Sequence, residues 1–342
     1  MTDKNKSIIY ATVGFMFMAV FFVLGYTHND QEIKDFTKTN IVKEKITVEP
    51  TPSPASKNGA SIIFVGDVMT SRTVAQKMKK NGYDYPFSAM AGYLKSADMV
   101  FANLETPITS GPSVSSGDVV FRSDPEVAGA LARANIKIVS LANNHSMNFG
   151  VQGIADTFKY LISAGVDFVG AGNNEVEAYG PKYININGIK FAFLAFTDID
   201  VLPPGAAIEV IQPGVAIMDL AKAKKAIQVA KGIADVIVVS MHSGTEYTDV
   251  PNQRQTSFAR GAVDAGADLV IGHHPHWTQT VEEYKGKYIF YSLGNFVFDQ
   301  MWSQKTREGE IVKIYFSKDG VEKYDLTRIV IDDYSRPRIV QP

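Results

Sequence analysis

Three histidines stand in one five-residue turn, Gly-His-His-Pro-His at residues 272–276, directly after the apolar run at residues 267–271. An apolar run of this length, bounded by glycine and proline, is typical of a buried β-strand. The histidines would then lie at the carboxyl end of that strand, where open α/β sheets place their binding sites. Only six histidines occur in the chain, and His145 and His242 also follow apolar, β-branched runs. Five histidines at strand ends favour a metal site over a histidine-rich surface turn.

Strand-like and helix-like segments alternate along the chain from residue 60 onward. Apolar, β-branched runs predict strands at residues 61–67, 98–102, 136–141, 166–169 and 236–240. Helical spacing of apolar residues predicts helices between them, at residues 72–80, 124–134, 150–164, 219–231 and 253–265. Such alternation indicates an α/β fold, and the runs at residues 288–293, 311–316 and 326–331 are predicted to close a second sheet.

The predicted strands end in side chains that can bind metal ions. These side chains are Asp67, Asn103, Glu105, Asn144, His145, His242 and the histidines of residues 272–276. The chain has no cysteine, so disulfides and a lipid-modified cysteine are excluded, and a metal site must use imidazole, carboxylate and amide ligands. A mixed set of nitrogen and oxygen ligands suits Mn, Zn or Fe. A two-metal hydrolytic site needs a bridging carboxylate, imidazoles and an open position, and this set can supply them.

The charge balance gives no reason to expect a nucleic-acid partner. Lys and Arg number 34 against 36 Asp and Glu, which leaves a net charge of -2. This balance provides no long-range attraction to nucleic acid or to an anionic surface. The content of 45% hydrophobic and 20% charged residues is that of an ordinary folded protein.

An apolar run of nineteen uncharged residues, 8–26, is long enough for about 28 Å of helix, which spans a bilayer. Lysines precede the run and acidic residues follow it, so the positive-inside rule places residues 1–7 in the cytoplasm and the later chain outside. A cleaved signal peptide is the alternative. The run exceeds a usual signal-peptide core, however, and no clear Ala-x-Ala site follows it.

The segment after the apolar run, residues 27–58, is rich in Lys, Glu, Thr and Pro and has little to bury. It is predicted to be a disordered linker. The sequence therefore predicts a single-pass protein of the cell membrane whose globular domain, residues 59–342, is extracellular.

Six short motifs resemble those of the CapA (PgsA) family, membrane-anchored proteins of bacterial poly-γ-glutamate capsule synthesis. They are Gly-Asp-Val-Met at 66–69, Asn-Leu-Glu at 103–105, Ala-Asn-Asn-His at 142–145, His-Ser-Gly-Thr-Glu at 242–246, the histidine turn at 272–276 and Ser-Leu-Gly-Asn-Phe at 292–296. The likeness covers nearly all of residues 60–300. That family is similar to calcineurin-like metallophosphoesterases, so the resemblance implies a four-layer α/β/β/α sandwich preceded by one transmembrane helix.

The resemblance also implies a metal centre with one or two divalent ions. Its implied ligands are Asp67 and His276 for the first ion, Glu105 as the bridge, and Asn144, His242 and His274 for the second. His145 would protonate a leaving group, and with Asn144 it forms the predicted catalytic pair. The metallophosphoesterase pattern does not require His273, which is either a further ligand or a neighbour that orients one or supports the turn.

Two positions depart from the metallophosphoesterase pattern. Met69 stands where that pattern has a histidine, and a thioether is a poor ligand for these cations, so the first metal site is predicted to be weak or empty. Asn148 stands where many relatives carry aspartate, which is expected to lower the basicity of His145.

Three charged residues are candidates for substrate binding. Arg72 and Arg122 have the guanidinium geometry that binds a carboxylate or phosphate with two hydrogen bonds, although either could be a solvated charge at a helix end. Glu246 is either a second acidic group of the site or an ordinary loop residue.

Three functions are consistent with these features. The first is a membrane-anchored, extracytoplasmic component of poly-γ-glutamate capsule synthesis or export, with a metal-dependent hydrolase-like site. Its partners would be poly-γ-glutamate or another anionic envelope polymer, the membrane and capsule synthase subunits. The second is a metallophosphoesterase of the cell envelope, and the third is a non-catalytic scaffold for the synthase.

Overall fold

The computed structural model describes residues 59–115, 117–207 and 212–340. The predicted membrane anchor at residues 8–26 and the predicted linker at residues 27–58 lie outside the described residues. Within the described ranges, no helix has the length and apolar character needed to cross a membrane.

The strands and helices follow one another along the chain much as their apolar patterns predict. The strands are β1 (Ala60–Val68), β2 (Met99–Leu104), β3 (Ile136–Ser140), β4 (Asp167–Val169), β5 (Ala171–Gly172), β6 (Lys182–Ile186), β7 (Ile189–Thr197), β8 (Gly214–Val215), β9 (Val236–His242), β10 (Leu269–His273), β11 (Val281–Tyr284), β12 (Lys287–Phe290), β13 (Asn295–Val297), β14 (Glu308–Ser317), β15 (Gly320–Asp332) and β16 (Arg336–Ile339). The helices are α1 (Arg72–Asn81), α2 (Ala91–Leu94), α3 (Glu126–Arg133), α4 (Gly150–Ala164), α5 (Glu175–Tyr179), α6 (Leu220–Lys231), α7 (Gln253–Ala265) and α8 (Gln304–Arg307), with 3-10 turns at Tyr85–Met90 and Ile199–Val201.

Two mixed sheets form the centre of the fold. The first has the strand order β16-β15-β14-β1-β2-β3-β4, with β13 also paired to β1. The second has the order β11-β12-β10-β9-β7-β6, and β5 and β8 form a small separate ladder. Strands β1 to β4 are parallel to one another, as are β7, β9, β10 and β12, so each sheet gathers several carboxyl ends at one edge.

Alternating side chains of β1 enter two different hydrophobic clusters. Ile62 belongs to the cluster between the sheets, where Phe101 and Phe193 stack with ring centroids 5.8 Å apart. Ile63 belongs to the cluster that α1, α3 and α4 cover, while α6 and α7 cover the outer face of the second sheet. Each fully buried Phe of this kind contributes about 1.5–3 kcal/mol to stability. The layers are therefore helix, sheet, sheet and helix, as the resemblance implies.

Two details of the sequence-based prediction are wrong. β14 and β15, predicted to close the second sheet, belong to the first, because β14 pairs antiparallel with β1 and β15 pairs with β14. The apolar pattern of a strand shows which face is buried but not which strand lies beside it. The sequence predicts Asp124 as the N-cap and Pro125 as the first helical residue, whereas helix α3 begins at Glu126 and Pro125 occupies the capping position.

The two sheets bring their carboxyl ends to one place. In the first sheet Asp67 pairs with Asn103 on one side and with Asn295 on the other. In the second sheet His242 and His273 are paired neighbours at the ends of β9 and β10. The predicted site residues from distant parts of the chain therefore meet at one edge of the sandwich.

We expect the substitution Gly272→Ala to destabilise the protein by about 1–3 kcal/mol, the usual cost of forcing an extra carbon into a packed interior. A Cβ at this position would lie 2.0 Å from the carbonyl oxygen of Tyr291. The matched control is Gly92→Ala, an exposed site with no atom within 4 Å of the added carbon. Urea unfolding of both variants measures the effect, and equal stability of Gly272→Ala and wild type would contradict the close approach.

Candidate metal centre

Two buried carboxylates, Asp67 and Glu105, lie at the centre of the site, and neither side chain is accessible to solvent. The side-chain amide of Asn103 donates to Asp67 Oδ1 at 2.8 Å and to Glu105 Oε2 at 3.2 Å. Glu105 Oε1 is buried and accepts no hydrogen bond from the described residues. A carboxylate oxygen in that position needs a cation or a proton beside it.

Opposite pKa shifts of the two carboxyls show how strongly they interact. Burial raises the pKa of Glu105 well above its usual range, and the charges of Asp67 and Glu246 add to the shift. Burial also acts to raise the pKa of Asp67, but the close approach and charge of His273 and His276 outweigh it and hold that pKa well below its usual range. A proton or a divalent cation beside Glu105 would relieve this repulsion.

Three side chains have the arrangement and chemistry to hold a divalent metal ion. One ligand atom each from Asp67, Glu105 and His276 lies within 4.8 Å of the other two, and all three residues are buried. His276 Nε2 lies 3.9 Å from the unpaired Glu105 Oε1. Two carboxylates and an imidazole form the mixed donor set that suits Mn, Fe or Zn. These residues therefore fit the metal that the resemblance implies.

The orientation of His276 is fixed by Asn295. The amide nitrogen of Asn295 donates to the Thr306 carbonyl at 2.9 Å and to Gln300 Oε1 at 3.2 Å, so its oxygen faces His276 Nδ1 at 3.0 Å. His276 Nδ1 therefore donates to Asn295 Oδ1, and Nε2 is the ring nitrogen that faces Glu105. His276 has a φ of 57° and His274 a φ of 98°, left-handed values that are unfavourable for these residues and are typically retained at functional sites.

The predicted ligands of the second ion form a neighbouring group. His242 Nε2 lies 2.9 Å from Asn144 Oδ1 and 3.1 Å from His274 Nδ1. Burial lowers the pKa of both histidines, to about 3 for His274 and well below its usual value for His242, and neighbouring imidazoles add to each shift. Neutral imidazoles are the form that binds metal ions. The structure thus brings all six predicted ligands to one edge, and their metal-binding roles remain predictions.

Met69 and His273 make different kinds of contact. Met69 points into the hydrophobic cluster under α1, where its sulfur accepts the backbone N–H of Ser71 at 3.0 Å. The Met69 side chain is therefore engaged in the hydrophobic cluster, and the weakness of the first metal site remains a prediction. The buried His273 places Nδ1 3.3 Å from Asp67 Oδ1, outside the three-residue group, and its role as a further ligand or as a neighbour that orients one remains a prediction.

His145 stacks on Phe121 with ring centroids 3.8 Å apart, and its Nε2 lies 3.9 Å from Glu105 Oε1. Asn148 Oδ1 accepts the backbone N–H of Phe121 at 2.8 Å and lies 2.9 Å from His145 Nδ1, so Nδ1 carries the proton. Burial lowers the pKa of His145 to about 4, against the opposite effect of the Asn148 hydrogen bond. At neutral pH this imidazole is uncharged with no proton on Nε2, a state that does not favour its predicted role as an acid.

We expect Asn148→Asp to raise the pKa of His145 from about 4 by roughly 1–3 units, because a carboxylate beside Nδ1 favours the charged ring. Titration of the His145 ring protons by NMR in metal-free protein measures the shift. Asn148→Ala, which removes the hydrogen bond, is expected to move the pKa in the opposite direction. The same pKa in both variants would show that Asn148 does not control this imidazole.

The three predicted substrate-binding residues differ in their contacts. The guanidinium of Arg72 lies 4.7 Å from the Phe121 ring centroid, is ion-paired with Asp299 and affects the pKa of Glu105, so it is close to the centre. Arg122 is buried among loop carbonyls and an aspartate, an arrangement typical of a structural role. Glu246 is exposed, and its charge also acts on Glu105.

The sequence-based prediction did not include Asp198. This buried residue follows β7, and its N–H donates to the His242 carbonyl at 2.9 Å while its carboxylate accepts the Ser243 hydroxyl at 2.8 Å and pairs with Arg254. It therefore holds the turn that follows His242. The signal was present, since an aspartate after an apolar strand is the same pattern that identified Asp67.

Comparisons with known proteins agree with this architecture. The family model described as bacterial capsule synthesis protein PGA_cap matches residues 61–300. The capsule biosynthesis protein CapA of Bacillus anthracis is 37% identical over 283 residues, which are 80% of this chain and 68% of that protein. The PGA biosynthesis protein CapA of Bacillus subtilis (strain 168) is 37% identical over 287 residues, which are 83% of this chain and 75% of that protein.

Among solved structures, the NAD nucleotidase of Haemophilus influenzae aligns with a TM-score of 0.50 at 11% sequence identity, over 83% of this chain and 54% of that one. This likeness concerns the fold alone. The sequence matches extend over the strands and turns that carry the candidate metal centre. The chain therefore belongs to the bacterial capsule synthesis protein family PGA_cap.

Proposed function

We propose that this chain is a membrane-tethered, extracytoplasmic component of poly-γ-glutamate capsule synthesis or export, with a metal centre that cleaves, transfers or grips the polymer. The single observation that supports this most is the buried group of Asp67, Glu105 and His276 in a chain of the capsule synthesis family. Two relatives are named for capsule or PGA biosynthesis, which supports the choice of polymer.

The proposed roles of the side chains follow from their positions. Asp67, Glu105 and His276 would hold one divalent ion of Mn, Zn or Fe, whose charge would polarise a carbonyl or phosphoryl oxygen of the substrate. Asn144, His242 and His274 would hold a second ion. Exclusion of water from this buried edge strengthens the interactions of all these charges.

Purified full-length protein loaded with Mn, Zn or Fe tests the proposal. We expect calorimetry to detect binding of poly-γ-glutamate, and gel filtration to detect shortening of the polymer if the centre cleaves it. Asp67→Asn should abolish any shortening, since it removes a ligand carboxylate. If metal-loaded wild type neither binds nor shortens the polymer, the proposed substrate is wrong.

The membrane tether is part of the same proposal and rests on the apolar run at residues 8–26 with lysines before it. Alkaline phosphatase fused after residue 58 should be active in cells, because that enzyme folds only outside the cytoplasm, and a fusion after residue 7 should be inactive. An inactive fusion after residue 58 and an active fusion after residue 7 would place the globular domain in the cytoplasm. Crosslinking in the membrane would then test the proposed contact with capsule synthase subunits.

A metallophosphoesterase of the cell envelope is the second candidate, favoured by the neutral histidines and the amide oxygen grouped around His242. A phosphodiesterase assay on metal-loaded wild type and His274→Ala separates the two candidates. Activity that His274→Ala loses would support this function. Equal rates in both proteins would eliminate it.

A further inference from the structure

Both tryptophans of the chain lie beside the candidate metal centre. Trp277 directly follows His276, and the Tyr247 ring contacts both indoles, with centroids 6.4 Å from Trp277 and 4.9 Å from Trp302. The same Tyr247 ring is stacked near His276 with centroids 5.9 Å apart. We call Tyr247, Trp277 and Trp302 the aromatic wall. It is continuous with a predicted metal ligand.

The aromatic wall is held by the hydrogen bonds that also orient the metal centre. The N–H of Tyr247 donates to the carbonyl of Pro275 in the histidine turn at 2.8 Å. Its hydroxyl accepts from Gln300 Nε2 at 3.2 Å, and Gln300 Oε1 accepts from Asn295, the residue that orients His276. Tyr247 has a φ of 62°, a left-handed conformation that these contacts maintain. The position of the wall is therefore linked to that of His276.

Trp302 has 62% of its surface exposed although its neighbours in the wall are partly buried. A single exposed apolar residue is ordinary on a protein surface. Trp302 differs from such a residue because its edge-to-face contact with Tyr247 holds it near the candidate metal centre. An exposed indole on a fixed support can contact a planar or aliphatic part of a ligand.

The charges around the aromatic wall limit the kind of ligand. Lys305 Nζ lies 4.3 Å from the Trp277 ring centroid and pairs with Asp249 at 2.8 Å, and both charged side chains are more than half exposed. Such a pair contributes little to stability, so Lys305 can exchange Asp249 for another carboxylate. Glu246, also exposed, would repel a carboxylate on its side of Tyr247. A ligand that combines an uncharged stretch with a carboxylate fits these surroundings.

We propose that the aromatic wall binds one γ-glutamyl unit of a poly-γ-glutamate chain, with its amide and methylene groups against Trp302 and Tyr247 and its carboxylate at Lys305. This inference rests on the proposed function and specifies how the polymer reaches the metal centre. The γ-linkage supplies the uncharged stretch between carboxylates. In α-linked polyglutamate, which has the same charge for each residue, the carboxylates lie on side chains away from the backbone amides.

Tryptophan fluorescence of the full-length chain tests the inference, because Trp277→Phe leaves Trp302 as the single tryptophan. Titration with γ-linked glutamate oligomers should shift its emission to shorter wavelength in a saturable way, as the indole loses water. Trp302→Ala should weaken oligomer binding, measured by calorimetry, by about ten-fold. This is the loss expected when one aromatic contact and the area that it buries are removed. Lys305→Gln should weaken it by a smaller factor, and α-linked oligomers should bind less tightly than γ-linked ones.

Ile162→Ala is the matched control, since this residue is 67% exposed on α4 and lies outside the wall. It should leave oligomer binding unchanged. If wild type and Trp302→Ala bind γ-linked oligomers equally and emission does not change, the inference is wrong while the proposed function stands. If γ- and α-linked oligomers bind equally, the assigned occupant is wrong. Absence of polymer binding by wild type would overturn the proposed function itself.

Discussion

Glu105→Gln should weaken the binding of Mn, Zn or Fe by at least about 100-fold, because loss of a ligand exceeds the 10–100-fold effect of losing an outer partner of one. The same substitution should stabilise the metal-free protein at pH values above the folded pKa of Glu105, since it replaces one of two adjacent buried carboxylates with a neutral group. Weaker metal binding together with a more stable metal-free protein is expected of a carboxylate whose role is to bind a cation. A structural Glu105 would lower the stability of both forms.

The stability of metal-free Glu105→Gln should also depend on pH differently from that of the metal-free wild type. The folded pKa of Glu105 lies well above the usual value of 4.5, so its contribution to stability is fully present below that value. This contribution is lost as the pH rises through the folded pKa. Glu105→Gln should remove that loss. Urea unfolding between pH 4 and pH 8, with metal titrations by calorimetry, measures both effects.

Glu246→Gln is the matched control for these experiments. Its carboxylate acts on the pKa of Glu105 but is exposed and lies outside the three-residue group. Solvent and salt screen an exposed charge, so its removal should change metal affinity only slightly. If Glu246→Gln and Glu105→Gln weaken metal binding equally, the site is organised by overall charge and not by direct ligation.

The sequence predicts the strands of this fold well because each buried strand is an apolar run with a polar end. β1 and β9 were identified in this way, and Asp67 and His242 lie at their carboxyl ends as expected. The sequence does not predict the partners of a strand. β14 has the same alternation whether it pairs with β1 or with a strand of the second sheet, and only the packed structure decides.

The candidate ligands could be named from the sequence, whereas the protonation and orientation of each candidate could not. That His276 and Asn295 follow apolar runs is visible in the sequence, but which nitrogen of His276 donates depends on the amide orientation of Asn295 that Thr306 fixes. The low pKa of His145 depends on burial against Phe121, a contact between distant residues. Roles that rest on tertiary contacts cannot be derived from residue types and spacing alone.

Arg122→Met should lower the free energy of unfolding by about 3–5 kcal/mol, the usual cost of breaking a buried ion pair. Arg122 Nε donates to the Pro112 carbonyl at 2.7 Å, Nη1 to the Thr109 carbonyl at 2.5 Å and Nη2 to Asp124 Oδ1 at 2.7 Å. Its side chain is only 2% exposed. Loss of the guanidinium leaves the carbonyls of Pro112 and Thr109 without this donor, and Asp124 keeps the Tyr83 hydroxyl and Lys79 as partners.

Urea unfolding of Arg122→Met beside Arg133→Met measures this effect, since Arg133 forms an exposed pair with Asp84 and should change stability by less than about 1 kcal/mol. Arg122→Lys should not restore stability, because an ammonium cannot reach three acceptors in the planar geometry of the guanidinium. Substrate binding by Arg122 predicts another result, namely normal stability with weaker polymer binding. If Arg122→Met is as stable as wild type but binds poly-γ-glutamate more weakly, Arg122 binds substrate. If the variant is unstable but still binds the polymer when folded, Arg122 has a structural role in its loop.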